Sequence, residues 1–263
     1  MTSTIRRLVP SRPLALALLA CVAAAGAAQA QTRQADTPPG WQFQVTPYLW
    51  VARLNSDVGP RPTLPTARVS EGVGDAVTNL DGALMIAGEA RHENWGLALD
   101  AAYLSLSASG DSPTQLFGNV DSEATGYFVT PAVLYRVYGA NPLAADVGAG
   151  ARYWHLRSEL NFSAGVLPAA SVSDSKSWID PLLILRGKVD MGSGFSLLGY
   201  GDIGGFDVGS RLTWSLMGLV QYSFNNWIEG AAGYRHLYID YNNDGFIWKG
   251  SLSGPIIGVR FQF

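Results

Sequence analysis

From residue 41 to the C-terminus, apolar and polar positions alternate with period two. At the end of the chain Pro255, Ile257, Val259, Phe261 and Phe263 share one parity, while Gly254, Gly258, Arg260 and Gln262 share the other. Side chains of a strand alternate between its two faces, so this pattern predicts a strand with one apolar face. Residues 41–52 repeat it, with Trp41, Phe43, Val45, Pro47, Leu49 and Val51 set against Gln42, Gln44, Thr46, Tyr48 and Trp50. Further strands are predicted over 81–92, 95–107, 123–137, 143–159, 178–189, 195–204, 211–224 and 227–241, with the last strand after 245. The total is about ten. Eight or twelve stay open, because residues 67–71 read equally as a short strand or as part of a long connection.

The connections sort by length. Glu93 and Asn94 form a tight hairpin, and residues 138–142, 190–194 and 225–226 are short turns. The joins at 53–80, 108–122 and 161–176 are long, with a helical turn expected over 73–80. Long connections at one end of a barrel and short turns at the other are the arrangement of transmembrane β-barrels, and an even strand count leaves both ends of the chain on the short-turn side. A soluble sandwich has no reason to sort its connections this way.

Composition changes the picture in one direction. The chain is 48% hydrophobic with a mean hydropathy of +0.10, yet it has no long apolar helix after its first thirty residues, so its apolar content is spread over short segments. The predicted fold is therefore all-β, a transmembrane antiparallel up-and-down β-barrel over residues 41–263. Residues 1–30 read as a signal peptide: Arg6, Arg7 and Arg12 form the charged region, 14–27 the apolar run, and Ala28, Gln29 and Ala30 a small-residue cleavage site. Cys21 invites a lipoprotein reading, but Leu19 fits the cleavage box poorly and apolar sequence continues beyond the cysteine. Residues 31–40 form a polar periplasmic lead-in. Cys21 is the single cysteine, so the chain after the leader carries no disulfide or thiolate chemistry, and a net charge of −3 leaves no basic footprint for nucleic acid.

The parity opposite the apolar face gathers Glu89, Arg91, Asp100, Arg136, Asp146, Arg152, Asp180, Arg186, Lys188, Asp202, Arg211, Glu229, Arg235 and Arg260. Arg or Lys at the lipid midplane costs roughly 2–4 kcal/mol, which assigns this face to the lumen. These charges either pair across a narrow bore or line a conducting path whose basic excess favours anions. Asp180 and Asp202 are expected to tether lumen arginines, and Tyr48, Trp50 and Trp154 to fill the bore near the extracellular mouth. No catalytic set emerges. His92 abuts a tight turn, while His155 and His236 lie on the apolar parity of strands nearly opposite in the ring. Asp81-Gly82 and Asp244-Gly245 are turns without calcium-ligand spacing, so no metal and no cofactor is expected.

The stretches PYLW at 47–50, WGLALD at 95–100, GARYW at 150–154, WIDP at 178–181, GDIGGF at 201–206 and GYR at 233–235, together with terminal Phe263, resemble the small proteobacterial outer-membrane β-barrel proteins of the porin-like or opacity-type families. The likeness covers the whole chain after the leader. It implies residence in the Gram-negative outer membrane among lipid and lipopolysaccharide, and recognition by the barrel-assembly machinery through a final strand marked by Phe261 and Phe263. It also implies a structural or narrow porin-like role passing small solutes. The alternative is a surface adhesin or ligand-recognition barrel acting through its long connections at 53–80 and 161–176, with an outer-membrane hydrolase a third possibility.

Overall fold

The computed structural model describes residues 40–59, 67–71, 80–111, 117–243 and 246–263. The predicted signal peptide, nearly all of the lead-in and the helical turn proposed over 73–80 lie outside them.

Twelve strands are present: β1 (Trp41–Trp50), β2 (Arg53–Gly59), β3 (Ala67–Glu71), β4 (Leu80–His92), β5 (Trp95–Asp111), β6 (Phe117–Ala140), β7 (Leu143–Ala164), β8 (Ala170–Gly192), β9 (Phe195–Gly205), β10 (Leu212–Ser223), β11 (Ile228–Asn243) and β12 (Phe246–Gln262). All pairings are antiparallel. They run β1-β4-β5 and onward in chain order to β12, which pairs back onto β1. β2 continues the course of β1 along β12, so the two are halves of one wall strand, and β3 is a short arm paired to β2. The wall is a closed barrel of ten strands. Closure leaves no free sheet edge, the condition for a sheet in hydrocarbon. At the seam Phe43 and Phe263 exchange both backbone hydrogen bonds at 2.9 Å.

Alternation fixes which face looks out. Leu84, Leu97, Leu99, Val133, Leu183, Leu185, Leu216, Val220 and Ile257 stand exposed on the outside, a density of large apolar side chains that water would not tolerate. Aromatic residues border this band at both ends. Trp95 and Tyr103, Tyr135 and Tyr127, and Tyr222 and Trp214 each stand eight positions apart on one outward face. Eight residues extend about 26 Å along a strand, close to the ~25 Å apolar band of membrane barrels with their aromatic girdles. The barrel is built to have lipid as its outer solvent.

Two connections depart from the sequence reading, and a third segment that it left open is decided. The connection expected over 161–176 shrinks to 165–169, because β7 and β8 stay paired from Glu159–Ser173 up to Phe162–Ala170. The connection expected over 108–122 is likewise mostly strand, paired up to Asp111–Asn119. These arms mix short polar residues with scattered apolar ones such as Leu160, Phe162 and Val172, so no sustained apolar alternation announces them, and they rise past the aromatic girdle into water. Residues 67–71 are a strand, but it belongs to the β2 arm and leaves the barrel count at ten.

Candidate functional site

The lumen is occupied in layers. Nearest the short turns lies an ionic cluster built from β4, β6, β7 and β8. Asp146 accepts from Arg136 Nε at 2.7 Å, Arg186 Nη2 at 2.7 Å and Arg91 Nη2 at 3.2 Å. Glu89 accepts from Arg91 Nε at 2.9 Å, from Arg186 Nη1 at 2.5 Å and Nη2 at 3.0 Å, and from Gln44 Nε2 at 2.9 Å. On the opposite wall Glu229 takes Lys188 Nζ at 3.1 Å and has Arg260 Nη2 2.9 Å away. Five cationic side chains thus meet three carboxylates among the described residues. Asp190, the next carboxylate along β8, is exposed and accepts from the Gly192 amide at 2.8 Å.

A second ionic layer crosses the bore farther up. Arg152, fully buried, forms a fork onto Asp202 with Nη2 and Nη1 at 2.7 and 3.3 Å, and its Nε donates to Thr130 Oγ1 at 3.1 Å. Arg235 Nη2 lies 2.9 Å from Asp100, which also accepts from Tyr48 Oη at 2.6 Å. Both guanidinium groups sit over aromatic rings: Arg152 is 5.7 Å from the centroids of Phe128 and Trp154, and Arg235 is 5.0 Å from that of Trp50. A paired, stacked guanidinium has its charge compensated without water.

Above this layer an aromatic cap packs across the bore. Trp178 stacks on Tyr241 at 4.2 Å and on Trp154 at 5.8 Å, and Trp248 meets both indoles edge-on near 6 Å. Buried Leu237 and Ile239 fill the space beside them. The cap is aligned by Asp180, which has no solvent exposure. Its Oδ2 accepts from Trp154 Nε1 at 3.0 Å, Trp178 Nε1 at 3.1 Å and Ser210 Oγ at 2.8 Å, and its Oδ1 accepts from the Ser210 amide at 2.6 Å. Ser210 gets there because the β9–β10 connection folds into the mouth, with Phe206 and Asp207 at positive φ. Gly209 makes this approach possible, since a Cβ there would run into the Ile179 carbonyl and the Asp180 carboxylate.

Two expectations need correction. Asp180 stands opposite Arg152 in the β7–β8 register but does not pair with it: neutral indole, hydroxyl and amide donors take its oxygens, and Asp202 holds the arginine. Arg211 is not in the lumen. It precedes the first residue of β10, is exposed, and lies 4.0 Å from Asp240, so parity within the strand does not govern it. The other twelve charged residues on the predicted lumen face also point into the bore. Tyr48, Trp50 and Trp154 do so as well, in the layers just described.

Trp178, Tyr241, Trp248, Ser210, Leu237 and Ile239 were not singled out from the sequence. Trp178 shares the parity of Asp180, and that signal was available. Leu237, Ile239 and Tyr241 share the parity of Arg235, but the alternate positions Tyr234, His236 and Tyr238 are the more polar set, so the contrast between faces is reversed there.

The histidines face outward. His155 Nδ1 and His236 Nδ1 lie 2.8 and 2.6 Å from Ser177 Oγ and Ser253 Oγ, their direct cross-strand neighbours, and the His92 ring is 5.2 Å from that of Trp41. Among the described residues no carboxylate hydrogen-bonds either Ser-paired imidazole. No group of three or more metal-ligating side chains occurs among the described residues.

The sequence matches no protein-family model and no curated protein. Similar solved structures include Ail, the attachment invasion locus protein of Yersinia pestis, at 12% identity over 86% of this chain and 99% of that one, with a TM-score of 0.37. Neisserial surface protein A is similar at 14% identity over 85% and 97%, with a TM-score of 0.33, and the outer membrane protease OmpT from Escherichia coli at 10% identity over 86% and 98%, with a TM-score of 0.48.

Proposed function

We propose that the protein is an integral barrel of the Gram-negative outer membrane with a structural role and a lumen closed at rest, narrow enough that any solute passage is slight. The observation that carries this reading is the stacking of two complete closures in one bore, the Arg152–Asp202 and Arg235–Asp100 layer beneath the Trp154–Trp178–Trp248–Tyr241 cap. A ten-stranded barrel has little more interior than side chains can fill, and here they pack across it at two levels. The role is not catalytic: the histidines face outward, and the lumen carboxylates are engaged in pairing. The turns at Glu93–Asn94 and Ser193–Gly194 face the periplasm, and the final strand with Phe261 and Phe263 is read by the assembly machinery.

The test is fractionation followed by planar-bilayer recording. The protein should fractionate with outer membranes and give no steady conductance. A soluble product, or a large cation-selective channel, would overturn the proposal.

A second reading has its own support. β6, β7 and β8 run 24, 22 and 23 residues, far more than the apolar band needs, and the β7–β8 tip exposes Val166 and Leu167. A polar sheet held above the membrane with an apolar tip suits recognition of another surface. Replacing 158–175 with a two-residue turn would abolish such binding while leaving the barrel folded.

A further inference from the structure

Between the two ionic layers the lumen keeps an open chamber of about 180 Å³. Its side wall is mostly apolar, with Ala98, Ala132, Leu134, Leu198, Met217 and Leu219 outnumbering polar residues such as Thr46 and Gln221. Arg235, Tyr48 and Asp100 stand at its upper end, and Arg186, Arg260 and Glu89 at its lower end, three guanidinium groups against two carboxylates. Arg260 also borders a polar recess of about 190 Å³ at the short-turn mouth, lined by Ser223, Asn225, Glu229 and Gln262. Arg260 thus lines both the chamber and the recess at the mouth.

Charge and shape together narrow the occupant. Among the described residues five cationic side chains at the lower end pair with three carboxylates, with exposed Asp190 near Lys188, and Arg260 and Lys188 both bond Glu229. An unbalanced cation at a largely desolvated site is costly and favours an anion beside it. A bare inorganic ion would leave the apolar wall uncovered, and a neutral hydrocarbon would leave the charge unanswered. In volume, a cavity of about 150 Å³ accommodates benzene, so one ring or a short branched chain fits here and a long acyl chain does not.

We propose that this chamber is a binding site for a small organic monocarboxylate with a compact apolar body. The carboxylate sits on Arg260 with Arg186 behind it, and the body lies against Leu134, Leu198 and Leu219 beneath the upper ionic layer.

The test uses the refolded full barrel in lipid nanodiscs at fixed ionic strength, with empty discs subtracted. Calorimetric titration compares sodium benzoate with benzyl alcohol, which has the ring without the charge, and with acetate, which has the charge without the ring. Benzoate should bind at least tenfold tighter than either. Arg260→Gln should weaken benzoate at least fivefold and leave benzyl alcohol unchanged, and Leu219→Trp, which fills the chamber, should abolish benzoate binding. Equal binding of benzoate and benzyl alcohol would overturn the charge assignment, equal binding of benzoate and acetate the apolar one, and no benzoate binding the whole proposal. The three-probe comparison needs no variant, so it decides even where a substitution blocks folding. Conductance is read separately: a conducting barrel would refute the closed lumen and leave this site standing.

Discussion

At the scale of single residues, the lumen separates charges that need partners from charges that serve as acceptors. Arg152 and Asp202 are both wholly buried and bonded to each other, so removing one strands the other. Asp202→Ala should destabilise the barrel by about 3–5 kcal/mol, whereas the paired change Arg152→Met with Asp202→Leu should be close to neutral. Asp180→Ala leaves neutral donors behind. Trp178 keeps Ser210 as an acceptor, and the loss should be about 1–3 kcal/mol, with a shift of tryptophan emission as the cap loosens. Urea titrations in micelles separate the three variants, and an Asp180→Ala cost equal to that of Asp202→Ala would refute the division of roles. Parity in the sequence gave the face of each of these residues, because alternation is a property of the strand itself. It could not give the partner. Arg152 passes over the neighbouring strand, where Asp180 stands opposite it, and bonds Asp202 on the strand beyond, a choice made by side-chain reach across a curved wall.

At the scale of elements, β12 carries two kinds of information. Its outward residues Ile257, Val259, Phe261 and Phe263 face lipid, and its inward residues Gly258, Arg260 and Gln262 face the bore. Phe263 also closes the seam, its backbone bonded to Phe43 and its ring 6.3 Å from the Phe43 ring. Phe263→Asp should therefore block formation of the heat-modifiable folded species, and Gln262→Ala should not. Equal folding of both would remove the terminal aromatic from the assembly signal. The end of the strand was legible because its outward face is uniformly apolar from Pro255 onward. The upper arms of β6, β7 and β8 were not: Ser171, Ser173 and Ser175 alternate with Val172 and Asp174, both faces are wet, and period-two contrast vanishes where neither face is buried. Their order comes from the ladder to neighbouring arms, which a single stretch of sequence does not display.

At the scale of the whole molecule, sorting the connections by length and matching the parities was enough to reach a closed barrel of about ten strands, since both follow from local pattern. Whether the bore is open was not legible, because the cap depends on residues from four strands and one inward-folded connection meeting at one height. The two closures lie in series, and series barriers have a testable consequence. Truncating the cap with Trp154→Ala and Trp178→Ala should leave the bore shut, because the Arg152–Asp202 and Arg235–Asp100 pairs still span it beneath. Neutralising Arg152 and Asp202 together should also leave it shut, because the cap remains. Only the combination of both sets should give a steady current in planar bilayers, small because the lower cluster of Glu89, Asp146 and Arg186 still narrows the path, and anion-preferring because five cations outnumber three carboxylates there. Conduction by either set alone would mean that one layer is the only barrier.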